Sequence, residues 1–296
     1  MELILIGICT YNRNELLENA LNYISKLDVP TGCKLSVVIS DNNTDEQAKQ
    51  VYEKFKSYPF NLYYVHEQRA GIAYARNAVL QKALDINADY VAFIDDDEYP
   101  KSNWITELYS VMKENNASGA TSAPIQISEG KELPLPNNVK KRKRGEKRRI
   151  CITNSVIFST KIIKDSNLWF DTDFGLMTGE DIDFFSRASD LGYKFVWNNK
   201  LLLYDFVPAN RLTLEWQLDR TFNDGYLKIF LARKEGKKSI HKILTKTLIE
   251  IIIFSFTFLV CSFNKRIKNK CLFKIMDCTG KIKSIYSNKS YEHYKR

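Results

Sequence analysis

Four consecutive acids, Asp95-Asp96-Asp97-Glu98, follow the apolar run Val91-Ala92-Phe93-Ile94. A single acid after a strand is commonly a turn or cap residue. Four together crowd negative charge at one strand end, which either raises their pKa values or calls for a cation. An all-oxygen set without His or Cys suits Mg²⁺ or Mn²⁺, ions that bind through one or two carboxylates and complete their shell with water and substrate phosphates. The glycine and later glutamate of an EF-hand loop are missing, which excludes that kind of Ca²⁺ site. Neither G-x-x-x-x-G-K-S/T nor G-x-G-x-x-G follows the first apolar run. A nucleotide diphosphate would therefore be held by the metal on the acids, with basic side chains helping.

Arg76, in Ala70-Gly71-Ile72-Ala73-Tyr74-Ala75-Arg76-Asn77, is a candidate helper; its bland alternative is a solvated charge on a helix. A second acidic cluster, Gly179-Glu180-Asp181-Ile182-Asp183, also reads two ways. Acids in a first helical turn are favoured by the helix dipole, so plain capping would explain it. Alternatively one carboxylate is a general base on a hydroxyl, in which case burial or neighbouring acids must offset the dipole's lowering of its pKa. Two more polar clusters end apolar runs: Thr10-Tyr11-Asn12-Arg13 and Asp41-Asn42-Asn43. Asp41 alone also reads as a cap.

The elements that must position these groups alternate. Apolar runs at Leu3–Cys9, Leu35–Ser40, Leu62–Val65 and Tyr90–Ile94 are separated by helical patterns at Asn14–Lys26, Asp45–Lys56 and Ala73–Leu84. Strands apolar throughout, between amphipathic helices, predict an α/β fold: a mostly parallel sheet with helices on both faces. Such sheets bind ligands at the carboxyl ends of their strands, where the clusters fall. From Pro100 to Lys238 the pattern is less regular, with a helix after Asn103, a strand over Ser155–Ser159, a helix from Glu180 closed by Gly192, and a helix over Leu214–Arg233.

Taken in order, Cys9-Thr10-Tyr11-Asn12-Arg13, Val38-Ile39-Ser40-Asp41-Asn42, Ala75-Arg76-Asn77, Phe93-Ile94-Asp95-Asp96-Asp97-Glu98 and Gly179-Glu180-Asp181 resemble the motifs of family-2 inverting glycosyltransferases over residues 1–235. The resemblance implies a Rossmann-like GT-A fold with a nucleotide-sugar-binding half at 1–100 and an acceptor-binding, catalytic half at 101–238. It implies that Thr10, Tyr11 and Arg13 line the nucleotide pocket and that Asp41 recognises the base. Asp97 would hold Mn²⁺ or Mg²⁺, with Asp95 or Asp96 reaching the ribose or the metal shell. Asp181 would be the catalytic base. Arg211, Trp216, Gln217, Arg220 and Gly225 match a further segment in which Arg220 touches the diphosphate. Thr221 stands where processive relatives carry Trp, so a single transfer is expected. Where many relatives place a metal-binding His, Leu203-Tyr204-Asp205 offers only Asp205. The expected reaction is inverting transfer from a nucleotide-diphosphate sugar, a UDP-sugar first, to a hydroxyl of a glycan or lipid-linked acceptor. Surface polysaccharide or lipid-linked glycan assembly is the expected setting.

The bulk properties add a location. Hydrophobic residues make up 44% of the 296-residue chain, which excludes a disordered chain, and the net charge of +9 points to anionic partners. Eight of the basic residues fall in the run Lys140–Arg149, and the chain after Lys237 is basic too. Thr247–Phe263 is seventeen residues with one acid, flanked by Lys242, Lys246, Lys265 and Arg266. A spanning helix needs about 20 apolar residues, so spanning, re-entrant, interfacial and buried readings stay open. We expect a hydrophobic and amphipathic helical tail over 239–296, attached to the cytoplasmic face of the cell membrane. The N-terminus has no basic n-region, so no signal peptide is expected. Six cysteines without Cys-x-x-Cys spacing read as free thiols. Two rivals remain. A metal-dependent nucleotidyl or phosphoryl transferase would usually show a glycine-rich loop with a Lys. A nucleic-acid-binding protein would depend on the basic run, which lacks interleaved aromatics, so no nucleic acid is expected.

Overall fold

Ile4, Ile6 and Ile8 of the first strand, β1 (Glu2–Thr10), enter one hydrophobic core, while Leu5 enters another on the opposite face. That double burial is why the run is apolar throughout. The chain continues α1 (Asn14–Ile24), β2 (Cys33–Asp41), α2 (Lys49–Lys54), β3 (Asn61–His66), α3 (Ile72–Asp85) and β4 (Tyr90–Asp95). β1 runs parallel to β2 and to β4, and β2 parallel to β3, with Thr10 opposite Asp41 and Cys9 opposite Asp95. The register thus brings three polar clusters to one edge. Leu17, Leu21 and Ile24 of α1 cover one face, and Val79, Leu80 and Ala83 of α3 the other. A Cβ on Gly7 would strike Val79 at 2.4 Å, so α3 can approach β1 this closely only over a glycine.

Next come β5 (Glu98–Pro100), α4 (Trp104–Glu114), β6 (Gly119–Ser122), β7 (Ile125–Ser128), β8 (Lys131–Glu132), α5 (Asn137–Lys140), β9 (Lys147–Arg148), β10 (Val156–Ser159), α6 (Lys161–Ser166), α7 (Glu180–Asp190), β11 (Phe195–Asn198) and β12 (Leu203–Phe206). The main sheet has eight strands in the order β3-β2-β1-β4-β10-β6-β11-β9, and a second sheet of four runs β5-β12-β7-β8. The expected parallel arrangement holds for β1 to β4; beyond it the sheet is mixed, β10 pairing antiparallel with both β4 and β6. β4 and β5 lie in different sheets with only Asp96 and Asp97 between them. The helix expected at Asp45–Lys56 is shorter, because Ala48 donates its N–H to Asp41 (2.8 Å) and residues before Lys49 are drawn into that loop.

A computed structural model describes residues 1–234, 236, 240–261 and 263–287. The chain falls into two units, 1–175 with 180–207, and 176–179 with the segment from 208 onward. The expected boundary at 238/239, basic residues Lys237 and Lys238, and the chain from 288 on lie outside the described residues. The second unit is built on α8 (Leu214–Lys234), α9 (Ile240–Val260) and α10 (Lys265–Tyr286). α8 and α10 cross on two glycines: a Cβ on Gly225 would collide with the Asp277 carbonyl, and one on Gly280 with that of Phe222. Lys228 and Lys281 both pair with Asp277 at 2.6 Å, and Lys281 reaches Glu250 of α9 at 3.8 Å. With its one acid turned to α10, α9 leaves Ile252, Phe256 and Leu259 about 70% exposed.

The basic run is built into the sheet. Lys147-Arg148 is β9, Arg144 pairs with Glu107 and Glu114, Arg142 lies over Trp197, and Arg149 pairs with Asp190. Arg142, Arg144 and Arg148 are half-buried while Arg149, Lys140, Lys141, Lys143 and Lys147 stay exposed, a bias toward burial expected of a planar guanidinium beside a strongly hydrated ammonium.

Candidate active site

The acids after β4 are ordered by what surrounds them. Asp96 is buried, accepting from Thr10 Oγ1 (2.8 Å) and from Arg13 Nη1 (3.0 Å). The same Arg13 nitrogen donates to Asp97 Oδ2 at 3.0 Å. Asp95 is half-buried, 3.9 Å from Arg76 Nη2, and its N–H donates to Glu98 Oε2 at 3.0 Å. Loss of water raises the Asp95 carboxyl to about 7; Arg76 pulls it down, while Asp97, Asp96 and Asp181 push it up. Asp96 rises to about 6, again by desolvation first, with Arg13 opposing. Glu98, 1% exposed, is driven well above the ordinary carboxylate range by burial and then by Asp95. The crowding anticipated for this run is therefore present, relieved in part by two arginines.

Arg76 is not a solvated helix charge: it is 7% exposed, lies over the Phe170 ring, and donates to Glu180 Oε1. Glu180 is 3% exposed, and its other oxygen, Oε2, is buried without a hydrogen-bond partner. Sequence reasoning missed this residue by treating it as a cap. Its signal was an unmatched arginine among small residues, which must find a carboxylate if α3 is buried. Asp181, next on α7, is half-buried, accepts from Thr153 N (3.3 Å), and contributes to the charge that raises Asp95. α7 is held by aromatic packing, Phe184 stacking on Phe170 at 4.3 Å between ring centroids.

Asp41 is fully buried at the end of β2. Oδ1 accepts from the Asn43 N–H (3.0 Å) and Nδ2 (2.6 Å), and Oδ2 from Ala48 N and Tyr64 Oη, both at 2.8 Å. Both oxygens of this carboxylate accept from donors inside the chain, so it orders the loop after β2. Asn42, also missed, bridges to the carbonyls of Glu67 and Arg69 and accepts from Gly71 N. Gly71 sits at φ 133, with the Gly175 carbonyl 2.6 Å from where a Cβ would be, so only glycine fits there.

Tyr11 is 36% exposed just past β1. Asp205 accepts from Gln126 (3.0 Å) and stands opposite Glu98 in the β5–β12 ladder. Arg220 belongs to the second unit, on α8, where it pairs with Asp224 at 3.3 Å. The structure thus gathers Thr10, Arg13, Arg76, Asp95, Asp96, Asp97 and Asp181 in the first unit. Among the described residues no group of three His, Cys, Asp or Glu side chains is already arranged around a metal position. Asp95 and Asp97 still fit a hard divalent ion, since such an ion needs one or two carboxylates and takes its other ligands from water and phosphate.

Residues 5–167 match the family model of glycosyl transferase family 2. The succinoglycan biosynthesis protein ExoM of Rhizobium meliloti (strain 1021) is 28% identical over 228 residues, covering 74% of this chain and 72% of that protein. The mannosyltransferase PcManGT of Pyrobaculum calidifontis, solved with GDP-Man and Mn²⁺, superposes with a TM-score of 0.66 at 15% identity, over 97% of this chain and 88% of that one. Residues 1–349 of TarS from S. aureus, solved with UDP-GlcNAc, give 0.55 at 19% identity, over 70% of this chain and 59% of that one. At these identities the two structures show a shared fold.

Proposed function

Because this chain belongs to glycosyl transferase family 2 and has the GT-A fold, we propose that it moves a sugar from a nucleotide-diphosphate donor, a UDP-sugar first, to an acceptor hydroxyl with inversion. One observation carries the reading: Asp95, Asp96 and Asp97 lie at the carboxyl end of the parallel strand β4, beside the buried or half-buried Arg76 and Arg13, with Asp181 of α7 close enough for its charge to act on Asp95. Strand ends of this kind are where open α/β sheets take ligands.

Asp181 accepts the proton as the acceptor oxygen attacks the anomeric carbon, and no enzyme nucleophile intervenes. Residues 1–100 take the donor, with Thr10, Tyr11 and Arg13 beside the nucleotide, and 101–238 face the acceptor. Arg76 and Glu180 fix α3 against α7, and so hold Asp181 in register with Asp95. Asp95 and Asp97 would hold Mn²⁺ or Mg²⁺, which supplies charge neutralisation for the leaving diphosphate. Arg220 stays a candidate diphosphate contact on the resemblance alone.

For the tail we infer an interfacial lie on the cytoplasmic membrane face. α10 runs antiparallel along α9, with Lys281 near Glu250 and Lys268 over Phe258. If α9 crossed the bilayer it would drag the seven basic residues of α10 into hydrocarbon, at about 2.5–3.5 kcal/mol each near the centre.

The test is Mn²⁺- or Mg²⁺-dependent release of nucleotide diphosphate across a panel of UDP- and GDP-sugars. Asp97→Ala should abolish it. Metal-independent release that survives this change would sink the reading. Tight, steeply salt-dependent RNA binding would favour the nucleic-acid rival.

A further inference from the structure

Arg266, Lys270 and Lys274 recur every fourth residue along α10, and all three are exposed. Among the described residues, none of them has a carboxylate partner. Like charges at this spacing repel and weaken a helix, so the stripe needs an anion or costs stability. It lines one side of a groove of about 470 Å³ against α8, with Lys228 on the other side, Asn269 as a polar donor and Phe273 as apolar lining. Lys228 is held in place by Asp277 at 2.6 Å. The glycine crossing at Gly225 and Gly280 sets how closely α8 and α10 approach, and with that the groove's width.

We propose that this α8–α10 groove binds the phosphate headgroup of an anionic membrane lipid. The lining is a cluster of ammonium and guanidinium donors with a neutral amide, the Thr221 hydroxyl and an aromatic floor, and its carboxylate, Asp277, is already paired with Lys228 and Lys281, so the charge left over from Arg266, Lys270 and Lys274 matches a phosphodiester better than a divalent cation or an apolar ligand. The occupant is a lipid rather than a soluble phosphate because the same three-helix unit leaves Ile252, Phe256 and Leu259 of α9 uncovered. A basic stripe beside an apolar helix is the arrangement by which interfacial helices hold anionic bilayers. The proposal rests on the interfacial reading of the tail and is independent of the transferase reading.

The experiment is flotation of the full chain with vesicles of phosphatidylcholine alone and of phosphatidylcholine with about one third phosphatidylglycerol. Two variants are compared, Lys270→Glu/Lys274→Glu in the groove and Lys141→Glu/Lys143→Glu in the exposed lysines of the first unit. The groove variant should lose binding to anionic vesicles by about thirtyfold or more, while keeping donor turnover with a soluble acceptor. The loop variant should bind as the parent does. Equal loss in both variants would assign binding to bulk charge and overturn the site. If glycerol phosphate raises the melting temperature of the parent but not of the groove variant, and vesicles give no anionic preference, the groove serves a soluble phosphate and the lipid assignment falls. Binding to both vesicle types that is unchanged in the groove variant leaves α9 as anchor and removes the groove. Loss of turnover in the parent with vesicle binding intact would sink the transferase reading alone.

Discussion

At the scale of single residues, the site is a balance between carboxylates that repel and arginines that hold them. Asp95 and Asp96 have folded-state pKa values near 7 and 6, above the ordinary value of 3.8. A carboxylate raised on folding favours the native state while both states are protonated or only the native state holds the proton. That contribution fades as pH climbs from about 4 through about 7. The metal-free protein should therefore lose thermal stability over that window, and Asp95→Asn should flatten the loss. Mn²⁺ with donor should raise the melting temperature more at about pH 8 than at about pH 5, where a proton competes for Asp95; scanning fluorimetry reads both. Asp181→Asn should lower kcat by about 10²–10⁴-fold with little change in donor KM. The pair Arg76–Glu180 is a separate matter, since both side chains are under 10% exposed. Arg76→Ala leaves a buried charge without its partner and should cost about 3–5 kcal/mol in chemical denaturation, partly recovered by adding Glu180→Leu. The acidic clusters that hold Asp97 and Asp181 stood out in the sequence by residue type and spacing, and the roles proposed for them come from the family resemblance. The internal roles of Glu180 and Asp41 were not legible, because each depends on a partner more than 20 residues away (Arg76 and Tyr64), and no local pattern encodes which partner a carboxylate will find.

Among the elements, those with two buried faces were readable and the short ones were not. β1 to β4 fall within a residue or two of their expected ends, since alternate side chains of each feed different cores and leave a long apolar run. The second sheet and β9 escaped notice: strands of two to four residues carry too few side chains to show a period. α7 was visible by its acids, yet what fixes it is aromatic contact, Phe184 against Phe170 and Phe158, and Phe185 against Phe158 and Phe195. Phe184→Ala should destabilise the first unit by about 3–5 kcal/mol. Because α7 carries Asp181, the activity lost at temperatures where the variant remains folded should appear in kcat. Gly71→Ala, against the Gly175 carbonyl and at positive φ, should also destabilise, by about 1–3 kcal/mol.

For the whole molecule, the chain divides into an α/β unit and a helical one, and the helical unit takes in α8, which the sequence reading grouped with residues 101–238. Removing residues 240–296 should release the chain from membranes in fractionation while leaving metal-dependent donor hydrolysis in place. If the truncated chain still pellets, the tail is not the anchor. How the basic run would be used was illegible, because its arginines answer to Glu107, Glu114 and Asp190, acids 30 to 41 positions away in sequence. Asp96 and Asp97 are slung between β4 in the large sheet and β5 in the small one, so both ends of that two-residue span are clamped by hydrogen-bonded ladders. The Asp95 amide, bonded to the buried Glu98 carboxyl, should exchange with deuterium only on cooperative opening of the surrounding strands. The acids are a fixed anvil, and whatever adjustment the reaction requires falls to the donor, the acceptor and the loops around them.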